Sequence, residues 1–150
     1  MKVFRRILHP TDFSTASRPA LDRAIALARQ NQAPLWVVHA LPPMVLPLGG
    51  DAAFMPPGAY EAMDQGARQH ARKQLATLVE RAKKVGVRAS ALLVDGAPAE
   101  QIARAIRRTR ADLVVIGTHG RTGLSKMLLG SVAERVVRLA SCPVLTIRGR

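Results

Sequence analysis

The chain has 150 residues, enough for one domain that folds without cross-links, and its single cysteine excludes an internal disulfide and a cysteine-based zinc cluster. Its net charge is +13, from 23 Lys and Arg against 10 Asp and Glu, which favours anionic partners without choosing among nucleotides, nucleic acid and acidic surfaces. The sequence shows no signal peptide and no apolar run of membrane-spanning length, so we expect a cytoplasmic protein with no membrane partner.

The first third of the chain predicts two strands separated by a helix. Val3–His9 is predicted to be the first strand, and Ser14 and Ser17 then offer caps for a helix with apolar residues at helical spacing. The run Leu35–Leu41 is almost continuously apolar, which is typical of a strand buried on both faces of a parallel sheet. The Pro- and Gly-rich stretch from Pro42 to Gly58 predicts a long loop.

The middle of the chain predicts two more helices and two more strands. A helix is predicted over Tyr60–Val85, ended by Gly86. Polar and apolar residues alternate over Val87–Val94, which predicts a strand at an edge of the sheet. A third helix has Pro98 near its start, and the apolar run Leu113–Ile116 favours a central strand.

The last part of the chain begins with a segment rich in glycine, basic and hydroxyl residues, Gly117–Leu129. A fourth helix is predicted from near Ser131, with the apolar residues Val132, Val136 and Leu139 at helical spacing. The final strand is predicted over Val144–Ile147.

Strands and helices therefore alternate along the whole chain. This order predicts an α/β fold over residues 1–150 in one domain. Right-handed crossovers leave few topologies, and the leading one is a doubly wound, five-stranded parallel sheet with strand order 3-2-1-4-5 and helices on both faces. Ligands bind such sheets beyond the carboxyl ends of the strands, where the strand order reverses. Two segments with suitable chemistry follow strands, Pro10–Ser14 after the first and Gly117–Arg121 after the fourth.

Glycines and a helix start after the fourth strand favour a phosphate site. Gly117 and Gly120 lack a Cβ and allow the backbone to approach a ligand closely. Gly130 and Ser131 stand where a helix begins, and the free amides and dipole of a helix start attract phosphate. A purely structural interpretation competes, because Ser131 with Glu134 three residues later is the pattern of a capping box that needs no ligand.

Charged residues add to the phosphate interpretation without identifying the nucleotide. Arg121 and Lys126 supply positive charge, and the Asp12 carboxylate could accept hydrogen bonds from ribose hydroxyls or an exocyclic amine. Neither the Walker P-loop pattern nor the Gly-x-Gly-x-x-Gly pattern of dinucleotide-binding folds occurs at the expected place.

With these motifs in view, the sequence resembles the universal stress protein family, in the branch that binds ATP, over essentially its whole length. The family's ATP-binding signature, G-x2-G-x9-G-[ST], is met at Gly117, Gly120, Gly130 and Ser131. The resemblance is carried by the segments Ile7–Ser14, Val37–His39, Val114–Arg121 and Leu128–Ala133.

The resemblance implies an ATP-binding protein of stress response or signalling, and it assigns roles by position. Asp12 would contact adenine or ribose beside Pro10 and Thr11, while Ile116 and Gly117 would line the adenosine pocket. The residues that would surround the phosphates are His119, Gly120, Gly130, Ser131 and Val132, with the charge of Arg121 beside them. Two positions of the site depart from the usual pattern: Ala40 stands where the family more often has Val, and Ala133 where it has a hydroxyl residue.

The resemblance also implies a homodimer formed by pairing of the last strands, Val144–Ile147.

Two other functions remain open. One is a slow ATPase or nucleotidyl-transferring enzyme, although no Asp or Glu lies between Gly117 and Gly130 to act as a general base, so we expect weak hydrolysis at most. Mg²⁺ would then arrive with ATP, since no set of residues has the spacing of a protein-built metal site.

The other open function is a basic module associated with nucleic acid. The net charge motivates it, but aromatic residues make up only 3% of the chain and no recognition motif is present. We therefore expect no specific nucleic-acid partner.

Overall fold

The computed structural model describes residues 3–44, 55–119 and 129–149. These residues form strands and α-helices that alternate along the chain: β1 (Ile7–Pro10), α1 (Arg18–Asn31), β2 (Leu35–Leu41), α2 (Ala59–Lys84), β3 (Ala89–Asp95), α3 (Pro98–Thr109), β4 (Leu113–Gly117), α4 (Ser131–Leu139) and β5 (Val144–Ile147). A short 3-10 helix, Thr15–Ser17, precedes α1. None of the helices in this described part of the chain is long and apolar enough to cross a membrane.

The strands form one parallel sheet in the order β3-β2-β1-β4-β5, which confirms the predicted fold. Ile7 of β1 lies opposite Leu35 of β2 on one side and opposite Leu113 of β4 on the other. The chain therefore runs outwards from β1 to β3 and then crosses back to β4. The strand order reverses between β1 and β4, and a crevice opens there at the carboxyl ends of the two strands.

Two apolar layers cover the sheet, one on each face. Side chains alternate along β1, so that Ile7 packs towards α1 and α2 while Leu8 packs towards α3 and α4. Leu75 of α2 is 1% exposed in the first layer, and Ile106 of α3 is equally buried in the second. Helices on both faces were expected from the alternating element order, and the structure agrees.

The predicted first strand is wrong over its first half, because Val3–Arg6 lies outside the sheet. The amides of Val3 and Phe4 donate to Oδ1 of Asn31, at 2.9 and 3.1 Å. The next two amides, of Arg5 and Arg6, donate to the two carboxylate oxygens of Asp112 at 2.8 Å. Side chains from the end of α1 and from the residue just before β4 thus take the place of a neighbouring strand.

The apolar residues at helical spacing in α4 are only partly buried. Val136 is fully buried, but Val132 is 38% exposed and Leu139 is 41% exposed. The helix turns Ala133 and Val136 into the layer beside α3 and leaves Val132 and Leu139 partly exposed. The sequence periodicity marked apolar positions correctly but did not show that the helix is covered on only one side.

Candidate functional site

A cavity of about 310 Å³ lies at the carboxyl ends of β1 and β4, where the strand order reverses. The structure brings most of the predicted site residues together around it: Pro10, Thr11, Asp12, Ala40, Ile116, Gly117, His119, Gly130, Ser131, Val132 and Ala133. Gly120 and Arg121 lie outside the described residues, so the structure does not place them.

The loop after β1 forms the polar wall of the cavity. The Thr11 amide donates to the carbonyl of Val38 at 2.9 Å, which continues the β1–β2 pairing into the loop. Oγ1 of Thr11 accepts from the amide of Phe13 at 3.0 Å, and Oδ1 of Asp12 accepts from the amide of Ser14 at 3.0 Å. These side-chain turns fix the Asp12 carboxylate at the cavity as a hydrogen-bond acceptor.

His39, near the end of β2, lines the same cavity. Because a carbonyl oxygen can only accept, the ring Nδ1 donates to the carbonyl of Thr11, at 2.8 Å. The ring packs against Phe13 with 4.3 Å between centroids. Phe13 has a φ of +64°, a backbone conformation that is uncommon outside glycine, and this contact accompanies the sharp bend of the loop. His39 therefore holds the loop shape.

The opposite wall comes from the end of β4 and the start of α4. The Thr118 amide donates to the carbonyl of Ile147 at 2.9 Å, and the Gly130 amide donates to the carbonyl of Thr118 at 2.6 Å. A Cβ on Gly130 would sit 2.8 Å from that same carbonyl oxygen, so glycine is needed for this close approach. The contact brings the start of α4 directly to the end of β4.

The capping box of Ser131 and Glu134, which competed with the phosphate interpretation, is not formed. The helix begins at Ser131 itself, and the residue before it, Gly130, is the N-cap, with no side-chain capping bond in the part of the chain described. The Glu134 carboxylate instead accepts from Arg138 at 2.6 Å. The competing structural explanation for this sequence pattern therefore fails.

The first turn of α4 consequently presents backbone donors to the cavity. The first amides of any helix have no acceptor within the helix. Here they belong to Ser131, Val132 and Ala133, all of which line the cavity. Together with the positive end of the helix dipole, they suit an anion such as a phosphate.

The remainder of the cavity wall is mostly apolar. Ile116 and Val38 come from β4 and β2, and Pro98 and Ile102 come from the first turns of α3. Neither Pro98 nor Ile102 is among the predicted site residues, and the sequence marks Pro98 only as a helix start. The strand order could have revealed both, because α3 leads from β3 into β4 and begins at the carboxyl edge of the sheet. The cavity can hold an apolar ring system beside a polar wall and an anion site.

His9 lies within the sheet and does not line the cavity. Its ring is fully buried, and Nδ1 donates to the carbonyl of Val115 at 2.8 Å. Burial lowers the pKa of His9 to about 4, so the ring is neutral at physiological pH. No cluster of three or more His, Cys, Asp or Glu residues suited to a metal ion occurs among the residues described.

Comparisons with known proteins agree with this architecture. The sequence model of the universal stress protein family matches residues 4–148. The chain is 34% identical over 146 residues to universal stress protein MJ0531 of Methanocaldococcus jannaschii, covering 97% of this chain and 83% of that protein. It is 31% identical over 148 residues to universal stress protein YxiE of Bacillus subtilis, covering 97% of this chain and 100% of that protein.

A solved structure of a universal stress protein in complex with cAMP is also similar. It aligns with a TM-score of 0.70 and 26% sequence identity, covering 98% of both chains.

Proposed function

The chain belongs to the universal stress protein family, and we propose that it binds ATP in the cavity between β1 and β4 and acts in stress response or signalling in the cytoplasm. The observation that carries the proposal is the uncapped start of α4, whose first-turn residues line the cavity. A helix start with this geometry provides a phosphate site without a charged side chain. The related structure that contains cAMP supports an adenine nucleotide as the ligand class.

The two walls of the cavity fit the two parts of a nucleotide. Adenosine would lie against Ile116 and Ala40, with the Asp12 carboxylate accepting from a ribose hydroxyl or the adenine amine. The phosphates would lie at the first turn of α4, from Gly130 to Ala133. The volume of about 310 Å³ is near the lower end of ligand pockets, which fits an enclosed adenosine with phosphates reaching outwards. Gly120 and Arg121 remain predicted phosphate contacts.

The described lining suits holding ATP better than hydrolysing it. Among the described residues of the cavity wall, Asp12 is the only carboxylate. It lies on the β1 side, where it accepts from the Ser14 amide, and the phosphates would lie on the α4 side. A general base must be within hydrogen-bond reach of the attacking water. We therefore propose that occupancy by ATP, with Mg²⁺ accompanying the phosphates, sets the protein's conformation or its choice of partner, and that any hydrolysis is slow.

A single substitution can test the helix-start site without dismantling the helix. Ser131→Pro removes the amide donor at the first helical position, where proline is well tolerated. The preceding Gly130 has φ −59° and ψ 151°, a conformation compatible with a following proline. Ser131→Ala is the matched control, because it removes the hydroxyl and keeps the amide.

The assay is isothermal titration calorimetry with ATP and with adenosine, after mass spectrometry has identified nucleotide carried through purification. A hydrogen bond to a charged group contributes about 1.5–3 kcal/mol, so Ser131→Pro should weaken ATP binding by roughly 10- to 100-fold. Adenosine binding should change little. If Ser131→Pro folds correctly and binds ATP as tightly as the wild type, the helix start does not bind phosphate. Sustained ATP turnover by pure protein would instead favour the enzyme alternative.

We also propose a homodimer through β5. All four residues of this edge strand, Val144–Ile147, are only half-buried, and α4 beside it leaves Val137 46% exposed. An open strand edge next to exposed apolar side chains invites pairing with a second copy. Light scattering should report a dimer that Val137→Lys weakens and that Val85→Lys, at a 44% exposed position on the far side of the molecule, leaves intact. A monomer at micromolar concentration would refute the proposal.

A further inference from the structure

The end of the sheet opposite the cavity carries a concentration of arginine residues. Arg5 and Arg6 precede β1, Arg88 precedes β3, and Arg29 and Arg110 lie at the ends of α1 and α3. We call these five residues the basic edge. All are exposed except Arg6, which is half-buried.

Two members of the basic edge donate to backbone carbonyls at helix ends. Nη1 of Arg6 donates to the carbonyl of Arg110 at 3.5 Å, and Nη2 of Arg88 donates to the carbonyl of Gln32 at 3.4 Å. Arg29, Gln32 and Arg88 also line one cleft of about 370 Å³. Three strand spacings of about 4.8 Å separate β3 from β4 along this edge, so the guanidinium groups can follow an extended chain of negative charges.

Local carboxylates do not neutralise these arginines. Within the described ranges, the ion pairs join other cations to the acidic residues, and none of them includes a member of the basic edge. Asp112 lies on this edge, but its two oxygens accept from the backbone amides of Arg5 and Arg6. The helix dipole accounts for cations at helix ends such as Arg29 and Arg110, but it does not account for Arg5, Arg6 or Arg88.

One aromatic side chain shares a cleft with Arg88 of the basic edge. Trp36, the only tryptophan in the chain, is half-buried near the start of β2. It lines an open cleft of about 490 Å³ together with Lys83, Arg88 and Ser90. An aromatic ring beside cations suits single-stranded nucleic acid, because bases can stack on the ring while the cations contact the phosphates.

We propose that the basic edge and Trp36 form a sequence-independent binding surface for single-stranded nucleic acid, separate from the nucleotide cavity. Contacts to phosphates do not read sequence, so this surface agrees with the absence of a recognition motif. It lies at the amino ends of the strands, whereas the cavity lies at their carboxyl ends.

The test measures fluorescence anisotropy of labelled single-stranded oligonucleotides of thymidine and of uridine over a salt series. Three or four phosphate contacts should weaken binding roughly 20- to 50-fold between about 50 and 200 mM salt, from a slope of about −0.7 per contact. The triple variant Arg5→Gln, Arg6→Gln and Arg88→Gln should weaken binding at least tenfold and lower the slope.

The matched control has the same change in net charge at three exposed helical arginines outside the edge: Arg23→Gln, Arg72→Gln and Arg104→Gln. It should bind nearly as the wild type does. Fluorescence excited selectively at tryptophan reports on Trp36 alone, because there is no other tryptophan, and oligonucleotide should quench it.

Several results would overturn the proposal. Equal weakening by both triple variants would show that binding follows net charge, and unquenched fluorescence would remove Trp36 from the surface. Binding to vesicles rich in phosphatidylserine without binding to oligonucleotides would make the edge a membrane contact. Circular dichroism of the same variants shows whether they remain folded, and ATP titration shows whether the cavity still binds nucleotide. A loss of nucleic-acid binding can therefore be told apart from both failures.

Discussion

Lowering the pH should destabilise this protein through one buried ring, that of His9. Its Nδ1 hydrogen bond to Val115 can be kept in either protonation state, but Nε2 is buried with no hydrogen-bond partner among the described residues. Protonation would place a second N–H and a positive charge at that atom inside the apolar sheet. Burial is the main cause that lowers the pKa of His9, and the carbonyl of Val115 and the more distant Asp12 and Asp22 oppose it only in part.

The size of the effect follows from the pKa of the ring in the two states. The pKa falls from an ordinary value of 6.5 to about 4 on folding, so the unfolded chain binds more protons between these values and stability decreases as the pH falls through them. The full loss, reached below pH 4, is about 3 kcal/mol, and between pH 7.5 and pH 5 the loss is about 2 kcal/mol. Either loss is a large fraction of the free energy of unfolding of a typical domain, about 5–15 kcal/mol.

Urea unfolding at pH 7.5 and pH 5 measures this loss. His9→Asn keeps an amide donor near the position of Nδ1 and removes the titrating group, so its free energy of unfolding should fall about 2 kcal/mol less than that of the wild type over this range. His70→Asn, at an exposed position of α2, should keep the wild-type pH dependence. If His9→Asn and the wild type lose the same free energy, the ring does not carry the effect and the reasoning is refuted.

Three further predictions concern stability and are checked by denaturant unfolding. Asp112→Ala removes the acceptor of two backbone amides and should cost about 1–3 kcal/mol, whereas Asp22→Ala, which breaks an exposed ion pair, should cost less than about 1 kcal/mol; equal losses would contradict the anchoring role. Leu75→Ala should cost about 2–5 kcal/mol at a fully buried position, and Leu139→Ala much less at a position 41% exposed. Gly66→Ala, inside α2 with no atom within 4 Å of the added Cβ, should raise stability by about 0.5–1 kcal/mol, and a decrease would mean a contact that the structure lacks.

The sheet could be predicted well because its strands are short apolar runs bounded by polar residues, Pro and Gly. Leu35–Leu41 and Val144–Ile147 have the predicted bounds without change, and β3 lies at an edge as its alternating polar and apolar residues indicated. The strand order could also be predicted, because the alternation of elements and the right-handedness of crossovers together leave few arrangements.

Two of the differences have one physical source, which is that a pattern of side chains does not fix which partner a backbone group finds. Val3–Arg6 looks like strand, yet its amides are bound by Asn31 and Asp112, which are far away in the sequence. Ser131 and Glu134 have the spacing of a capping box, yet Gly130 occupies the cap position because its amide is held by the carbonyl of Thr118. The predicted roles of the site residues remain predictions, although the fold gathers the described ones around one cavity.

The strand order also determines when each strand can pair with its neighbours during synthesis. β1 is the first strand made, but one of its two neighbours, β4, is encoded about a hundred residues later, and the bond between His9 and Val115 joins positions 106 apart. Until β4 leaves the ribosome, the nascent β1-β2-β3 half has β1 as an open edge, although Ile7 and Leu8 become completely buried in the finished protein. Long-range closure of this kind is slow compared with the formation of local hairpins and helices. The most buried strand of the mature sheet is therefore the one that most needs protection from aggregation while the chain is being made.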